Sequence, residues 1–299
     1  MPRRIFASVA FMAALSVCGT TLFAQSAQKW QPGRTPDGQP DIQGTWLNFD
    51  ATPFEAPLPP SPEAAAAARA TAAINPAPEF ADHAHRVSKA RKAMVIEPAD
   101  GRVPVLKWAE DKRDYDIEHI PDAPEHETPW VRCITRGYPA AFFPAGYNNG
   151  YQIVQAPGYV IIHYEMIHAA RIIPTDGRPH REGLEPSYYG DSTGKWEGDT
   201  FVIDTVNFKP WILDDYHYTD PSKSRWHTDA LRTTERLQRE GNKLKYRITI
   251  DDAKIFTRPF SQDFELTQRP DWEPLGLLEY VCEENNRCAG GNCRDSAAR

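Results

Sequence analysis

One stretch of strict alternation constrains the fold of this chain more than any other feature. From Lys243 to Ile250, polar and apolar side chains alternate residue by residue, which is the pattern of a β-strand with one buried face. The run Ala230–Arg239 precedes this stretch across the turn Glu240-Gly241-Asn242, a typical hairpin connection. The pattern therefore predicts an antiparallel hairpin with one face turned toward a core.

Further short β-like runs lie on both sides of this hairpin, separated by turn sequences such as Pro157-Gly158. They cover residues 41–49, 151–156, 159–165, 169–174, 187–191, a run through 196, 200–208, 260–267 and 277–283. Because no long helical period separates them, a parallel α/β sheet is disfavoured. About eight to ten short strands in sequence order predict a mainly β fold, an antiparallel up-and-down β-barrel or a strongly curved sheet.

The first half of the chain has a different composition, with most of the 27 prolines. Residues 25–40 are predicted to be extended. Residues 50–130 form a Pro/Ala-rich excursion, with helices predicted at 63–73 and 85–94 and irregular structure elsewhere. We assign 131–285 to the antiparallel β domain and 286–299 to a disulfide-closed C-terminal tail.

The first 24 residues have the composition of a cleavable signal peptide. Arg3 and Arg4 precede an apolar stretch from Ile5 to Val17, and Ala24 ends a plausible cleavage site. The stretch is shorter than the roughly 20 residues of a membrane span. A lipoprotein attached at Cys18 is an alternative, which the bulky residue before the cysteine disfavours. We therefore expect a periplasmic or secreted protein.

The charge balance disfavours two classes of partner. Removing residues 1–24 would take away two of the 34 basic residues and none of the 41 acidic ones, so the net charge of −7 would become −9. An acidic protein is a poor ligand for nucleic acid or an anionic membrane surface. No other segment has the length and apolarity of an integral membrane span.

Four cysteines remain after the predicted cleavage, an even number that suits an oxidising compartment. Three pairings are open to Cys133, Cys282, Cys288 and Cys293. We favour Cys288–Cys293, which closes a Gly-rich loop, together with Cys133–Cys282. The alternative is a metal site, but the last three spacings lack the paired C-x-x-C pattern of zinc sites.

The residues most suggestive of chemistry are His163, Glu165, His168 and Arg171. On one strand His163 and Glu165 would share a face, about 6–7 Å apart, and a turn after them would bring His168 and Arg171 alongside. A proton acceptor, a carboxylate and a fixed cation in one cavity suit general acid–base catalysis. The alternatives are an exposed polar strand face or a Glu165–Arg171 ion pair. A metal site is not predicted, because the spacing is not H-E-x-x-H.

Glu235 occupies the apolar face of its predicted strand, together with Leu231 and Leu237. A buried carboxylate must be paired or used functionally, because burying it alone is costly. Arg236 points the other way, so the partner must come from another strand, and Arg171 is a candidate. We expect either a structural ion pair or a catalytic set made of His168, Glu235 and Arg171.

Trp226 and His227 end a loop rich in Trp, Tyr and His that begins at Trp211. Such a loop at a barrel mouth would form an aromatic lid over a ligand, with Trp226 and His227 as binding residues beside His163 and Glu165. The alternative is a surface loop with ordinary aromatic packing.

Two resemblances bear on these expectations. Gly44-Thr45-Trp46 is similar to the G-x-W opening of lipocalin-like (calycin) barrels, in which the tryptophan packs under the barrel floor. A large, largely uncharacterised group of secreted bacterial proteins is resembled by the blocks TPDGQPDIQGTW (35–46), ARIIPTDGRPH (170–180), GDSTGKWEGDTFVIDTVNF (190–208), HTDALRTTERL (227–237), TIDDAKIFTRPF (249–260) and EYVCEEN (279–285). That second resemblance implies the compartment and a shared fold but no catalytic residue.

Several functional signatures are missing, including the G-x-S-x-G elbow, the Walker loop, the Rossmann fingerprint and the haem C-x-x-C-H. We therefore predict no cofactor. The favoured function is binding of a small hydrophobic or aromatic organic molecule in a barrel cavity. The alternative is a cofactor-independent hydrolase, lyase or isomerase that uses His, Glu and Arg in the same cavity, and a structural envelope protein is a third, weaker possibility.

Overall fold

The strands of this protein, taken from a computed structural model, are mostly short and antiparallel. The structure describes residues 30–48, 52–56, 91–119, 122, 126, 129, 133–144, 148–214 and 225–280. The strands within them are β1 (Gly44–Leu47), β2 (Val95–Glu97), β3 (Gly150–Ala156), β4 (Tyr159–Tyr164), β5 (Ala170–Pro174), β6 (Asp191–Glu197), β7 (Thr200–Val206), β8 (Trp211–Ile212), β9 (Trp226–His227), β10 (Arg232–Glu240), β11 (Lys243–Asp251) and β12 (Phe260–Gln268). Helix α1 spans Lys107–Glu118.

Nine of these strands form a meander that is nearly closed into a barrel. Their order is β5-β4-β3-β1-β12-β11-β10-β7-β6, so every neighbour in space is also the next of the nine in sequence, except where β12 returns to β1. Strand β2 pairs with β12, and β8 and β9 form a separate small ladder. The predicted mainly β, antiparallel up-and-down architecture is confirmed.

The barrel is open between its two edge strands, β5 and β6, and we call this gap the seam. At one end of the seam the edges meet, where Asp176 bridges Lys195 and the Gly177 amide donates to the Gly194 carbonyl at 2.8 Å. A Cβ added at Gly194 would lie 2.7 Å from a ring carbon of Phe201 and 3.1 Å from Ile173. Glycine at this position therefore allows the two edges to approach.

The hairpin β10–β11 has the predicted register, with Leu237 opposite Tyr246 and Glu235 opposite Ile248. The apolar residues of the alternating run are buried. A 3₁₀ turn at Ala140–Phe142 places Phe142 inside the barrel. Its ring lies within about 6 Å, centroid to centroid, of four aromatic rings from β3, β4, β11 and β12, namely those of Tyr151, Tyr164, Tyr246 and Phe264. Large side chains thus occupy this part of the interior.

Some local expectations are wrong. Residues 187–190 form a bridge and a turn, and β6 begins only at Asp191. Residues 277–280 are not a strand, and 91–94 are not helical. Conversely, β2 and α1 lie in the region expected to be irregular. Their sequences carry weak periodicity, and β2 owes its pairing to the neighbouring β12.

Other expectations fall on residues outside the described part of the chain. These are the signal peptide, Cys18, the helix at 63–73, Cys282, Cys288, Cys293 and the tail at 286–299. Within the described residues, no helix is long and apolar enough to cross a membrane.

Candidate functional site at the barrel seam

Arg171 and Glu235 meet inside the barrel, across the seam. Arg171 lies opposite the buried Ile162 of β4 and so points inward from β5, while Glu235 points inward from β10. The guanidinium and the carboxylate form two bonds, Nη2–Oε1 at 2.7 Å and Nη1–Oε2 at 3.1 Å. Both side chains are almost completely buried. Arg171, which the sequence offered as one candidate, is therefore the partner of Glu235.

Hydroxyl groups complete the surroundings of the Arg171 guanidinium. Its Nη2 also donates to Ser192 Oγ of β6 at 2.9 Å and to Thr205 Oγ1 of β7 at 3.0 Å. Its Cζ lies 3.8 Å from the centroid of the Tyr138 ring. The side chain of Arg171 therefore spans the seam, linking β5 to β6 and β7 where the edge strands are not bridged.

Two tyrosines extend this network. Tyr246 donates its hydroxyl hydrogen to Glu235 Oε2 at 3.1 Å, and Tyr138 and Tyr246 share a hydrogen bond of 2.8 Å. Burial raises the pKa of both phenols well above 10, with the Glu235 charge acting in the same direction. Both phenols are thus protonated donors at neutral pH.

The pKa of Arg171 is raised well above its usual value. Burial acts to lower it, but the Glu235 carboxylate together with Tyr164 and Tyr138 more than offsets burial. The network therefore holds a permanent cation and its counter-ion, with neutral hydroxyls around them. A bidentate, hydrogen-bonded pair neutralises both charges. Because its two members lie on strands on opposite sides of the seam, the pair also links the two sides.

A cleft of about 410 Å³ lies on the seam, and we call it the seam cleft. Its lining residues are Tyr159 of β4, residues 170–172 and Pro174 of β5, Arg178, Pro179, Arg181 and residues 189–193, so Arg171 is one of them. Within the described part of the chain, Arg171 Nε has no hydrogen-bond partner. Burying an unpaired donor costs free energy. The fold nevertheless leaves this donor of Arg171 unsatisfied beside the cleft.

The walls of the seam cleft carry aromatic and charged side chains. Arg178 pairs with Asp176 at 2.8 Å, both side chains being about half exposed, and its guanidinium lies 5.9 Å from the Tyr159 ring. Tyr189, also a lining residue, is mostly buried, and burial raises the pKa of its phenol. The cleft thus offers aromatic faces beside a guanidinium group.

Asp191, in the cleft wall, accepts hydrogen bonds from two neighbouring residues. It accepts bonds from the Arg181 amide at 3.0 Å and from the Arg181 guanidinium at 2.7 and 2.8 Å. Its Oδ2 also lies 3.1 Å from His180 Nδ1. Burial acts to raise the pKa of Asp191, but the bonds from Arg181 and His180 outweigh it, so the pKa lies below its usual value.

The other ring nitrogen of His180 faces a second carboxylate. Nε2 lies 2.8 Å from Asp204 Oδ2, and Arg232 pairs with the same carboxylate at 2.9 Å. Burial acts to raise the pKa of Asp204, but the bonds from Arg232 and His180 outweigh it and hold the pKa low. His180 was not a predicted site residue: it ends the block at 170–180, but no chemical motif or period marks it.

The residues predicted to form an acid–base cluster are not brought together. His163 lies opposite Ala170, on the face of β4 away from Arg171, with its ring centroid 5.8 Å from that of His168. Burial, and then His168, lower the pKa of His163. The bonds of His168 go to the Leu278 carbonyl and the Tyr280 amide. The register of β4 and β5 places His163 outside and Arg171 inside.

Glu165 is buried and occupies a separate position. Strand β4 ends at Tyr164, so Glu165 does not continue the strand face of His163. Its carboxylate accepts bonds from Asn148 Nδ2 at 2.7 Å and from the Gly150 amide at 3.1 Å. The alternative Glu165–Arg171 ion pair is therefore wrong as well, since Arg171 pairs with Glu235.

Trp226 and His227 lie in β9 and are not lining residues of the seam cleft. Trp226 contacts Trp108 of α1 edge-on, at 6.2 Å between ring centroids. His227 is buried beside Phe208, and burial lowers its pKa to about 4. The loop residues 215–224, which complete the predicted aromatic lid, lie outside the described part of the chain.

Cys133 is disulfide-bonded, and the other three predicted partners lie outside the described residues, so the proposed pairing stays a prediction. Among the residues that the structure describes, no group of three or more His, Cys, Asp or Glu side chains is arranged to hold a metal ion.

Fold and site together define an antiparallel, nearly closed barrel with a cleft at its open seam. No family model matches the chain, and no curated protein or solved structure matches it. The resemblance to secreted bacterial proteins and to calycin barrels therefore stays a prediction.

Proposed function

We propose that this protein binds a small aromatic carboxylate in the seam cleft. The observation that carries the proposal is a cleft of about 410 Å³, lined by tyrosines and arginines, between two strand edges. Sites for small organic molecules commonly have about 300–1,000 Å³ and a few convergent polar groups among apolar ones. A single substituted ring fits within such a volume.

The lining chemistry favours an aromatic ring that carries a negative charge. Tyr159 and Tyr189 offer faces or edges for ring contacts. Arg178 is available to a ligand, because its pair with Asp176 is about half exposed and such pairs contribute only about 0–1 kcal/mol. A ligand carboxylate can displace Asp176 and take a bidentate bond from the guanidinium. Arg171 stays in the interior network.

This proposal keeps the predicted class of ligand and changes its location. A ligand at the centre of the barrel would compete with the packed side chains of Tyr138 and Phe142, whereas the seam cleft is already open. The acid–base alternative receives less support, because His168 bonds to residues 278–280 and Glu235 is tied to Arg171. In the predicted periplasmic or secreted setting, the protein would act as a binding protein for small acids.

The test is isothermal titration calorimetry of the full-length chain with three probes. Benzoate combines ring and charge, benzyl alcohol keeps the ring, and acetate keeps the charge. We expect benzoate to bind at least about tenfold more tightly than either partial probe, because a charge-assisted bidentate bond and a ring contact act together. Equal binding of benzoate and acetate, or no binding of benzoate, would contradict the proposal.

A pair of tryptophan substitutions locates the site. Ala170 lines the cleft and is exposed, so Ala170→Trp should fill it and abolish benzoate binding. Val154 is an exposed outer-face residue of β3 that does not line the cleft, so Val154→Trp serves as the matched control. Native mass spectrometry before and after denaturation would detect a co-purifying acid. Benzoate binding that survives Ala170→Trp would place the site elsewhere.

A further inference from the structure

We propose that His180 is a protonation-controlled latch. Its protonated ring holds one wall of the seam cleft, residues 178–181, to the barrel, so that ligand affinity falls as pH rises. We call these residues the wall segment. This inference rests on the proposed ligand site. His180 stands between Pro179 and Arg181, both of which line the cleft. Its ring bridges two carboxylates on different strands, Asp191 of β6 and Asp204 of β7.

The hydrogen-bond geometry defines the protonation state in which the latch is closed. A neutral imidazole has one N–H donor and one acceptor nitrogen, whereas imidazolium has two donors. Both ring nitrogens of His180 face carboxylate oxygens, at 3.1 and 2.8 Å, and an ionised carboxylate can only accept. Only the imidazolium form therefore makes both bonds. Loss of the proton turns one of them into a contact between two lone pairs.

The charged groups around His180 come from four elements. Asp191 lies on β6, Asp204 on β7, Arg232 on β10, and Arg181 in the wall segment itself. The pKa of each aspartate lies below its usual value, for the reasons given above, so both are ionised throughout the range in which a histidine titrates. The two arginines keep their charge. His180 is thus the group of this cluster whose number of N–H donors depends on its protonation state.

A few hydrogen bonds hold the wall segment to the barrel, and the bonds of His180 add to them. Thr193 donates to the Arg178 carbonyl at 2.7 Å, and the Arg181 amide donates to Asp191. Imidazolium at position 180 adds a charge-assisted bond to each of two strands. With neutral His180 the segment loses one of these bonds, and Arg178 is positioned less firmly. Because both ring nitrogens are occupied, His180 is a positioning residue and not a catalytic one.

The first test is the pH profile of benzoate binding by the full-length chain between pH 5.5 and 8. Benzoate stays ionised over this range. We expect the affinity of the wild-type chain to fall at least about fivefold as pH rises, the scale of a typical coupling between sites. His180→Gln should bind with the weaker, high-pH affinity at every pH. His119→Gln removes a histidine outside the latch and should keep the wild-type profile.

A readout that does not depend on binding separates failure of the latch from failure of the proposed function. Hydrogen exchange of the Arg181 amide, corrected for intrinsic rates, reports the bond to Asp191. We expect its protection to decrease with rising pH in the wild-type chain and to be low and flat in His180→Gln. If benzoate does not bind but this pattern is found, the ligand class is wrong and the latch stands. An Arg181 amide equally protected in both chains at every pH would overturn the latch.

Discussion

The guanidinium of Arg171 and the carboxylate of Glu235 form a bidentate pair inside the barrel, at 2.7 and 3.1 Å. The pair links β5, at one edge of the sheet, to β10, the third strand from the other edge. Since the two edges share few backbone bonds, this side-chain link takes over part of the role of a strand ladder. It makes the interior polar at one level of a mainly apolar core.

Breaking this pair from one side should be strongly destabilising. We expect Glu235→Leu to lower the free energy of unfolding by about 3–5 kcal/mol, because it leaves an unpaired buried cation. The double variant Arg171→Met/Glu235→Leu should lose much less than the sum of the single losses. Urea denaturation measures all of these. Arg236→Ala, which removes an exposed pair with Glu197, is the control and should cost no more than about 1 kcal/mol. Additive single effects would contradict a paired role.

The Tyr246 hydroxyl should contribute measurably to the free energy of unfolding. Tyr246→Phe removes a donor from Glu235 and a partner from Tyr138, leaving buried groups less satisfied at a cost of about 1–3 kcal/mol. Tyr159→Phe removes a hydroxyl from a partly exposed residue and should change stability by less than about 0.5 kcal/mol. Chemical denaturation of both variants tests this difference, and equal effects would show that the network adds nothing.

Gly194 should tolerate no side chain. A Cβ there would meet Phe201 and Ile173 at 2.7 and 3.1 Å, so Gly194→Ala should cost about 1–3 kcal/mol through overpacking. Gly33→Ala is the control, because its Cβ would meet no atom closer than 3.9 Å. Thermal unfolding of the two variants gives the comparison. A Gly194→Ala chain as stable as the control would contradict the close packing of Phe201 and Ile173 around this glycine.

His227 should make the fold sensitive to acid. Its pKa is about 4 in the fold, where burial lowers it from 6.5, so the unfolded chain takes up a proton first as pH falls. The resulting loss in the free energy of unfolding is absent above pH 6.5, grows as the pH falls from 6.5 to 4, and is complete below pH 4. We expect His227→Leu to abolish a stability loss of about 2.5 kcal/mol between pH 7.5 and 4.5. Parallel pH profiles of the unfolding free energy in the two chains would refute this assignment.

The strands that the sequence predicted correctly are those with strong local patterns. Lys243–Ile250 alternates along its whole length, and β11 covers Lys243–Asp251. Strands β3, β4 and β5 also lie where β-branched runs between turn residues predicted them. Strand β2 and helix α1 were missed because their stability comes from contacts with distant segments, such as the pairing of β2 with β12.

Prediction of the site was correct for one pair and wrong for one cluster. Glu235 on an apolar strand face required a buried partner, and desolvation cost alone is enough to predict an inward-pointing cation. His163, Glu165 and His168 were grouped by nearness in sequence. The strand end at Tyr164 and the register with β5 separate them, because a shift of one residue sends a side chain to the opposite face.

Local chemistry in the chain was enough to indicate a meander of antiparallel strands with one apolar face and a buried acid that needs a cation. Alternation, turn residues and desolvation are properties of short segments, so they can be read without a structure. Where the meander stays open, and which side chains meet at the opening, depends on the approach of β5 to β6, which lie 16 residues apart in sequence with a loop between them. The juxtaposition of His180 with Asp191 and Asp204 depends on that approach, since long-range packing sets it and no local pattern encodes it.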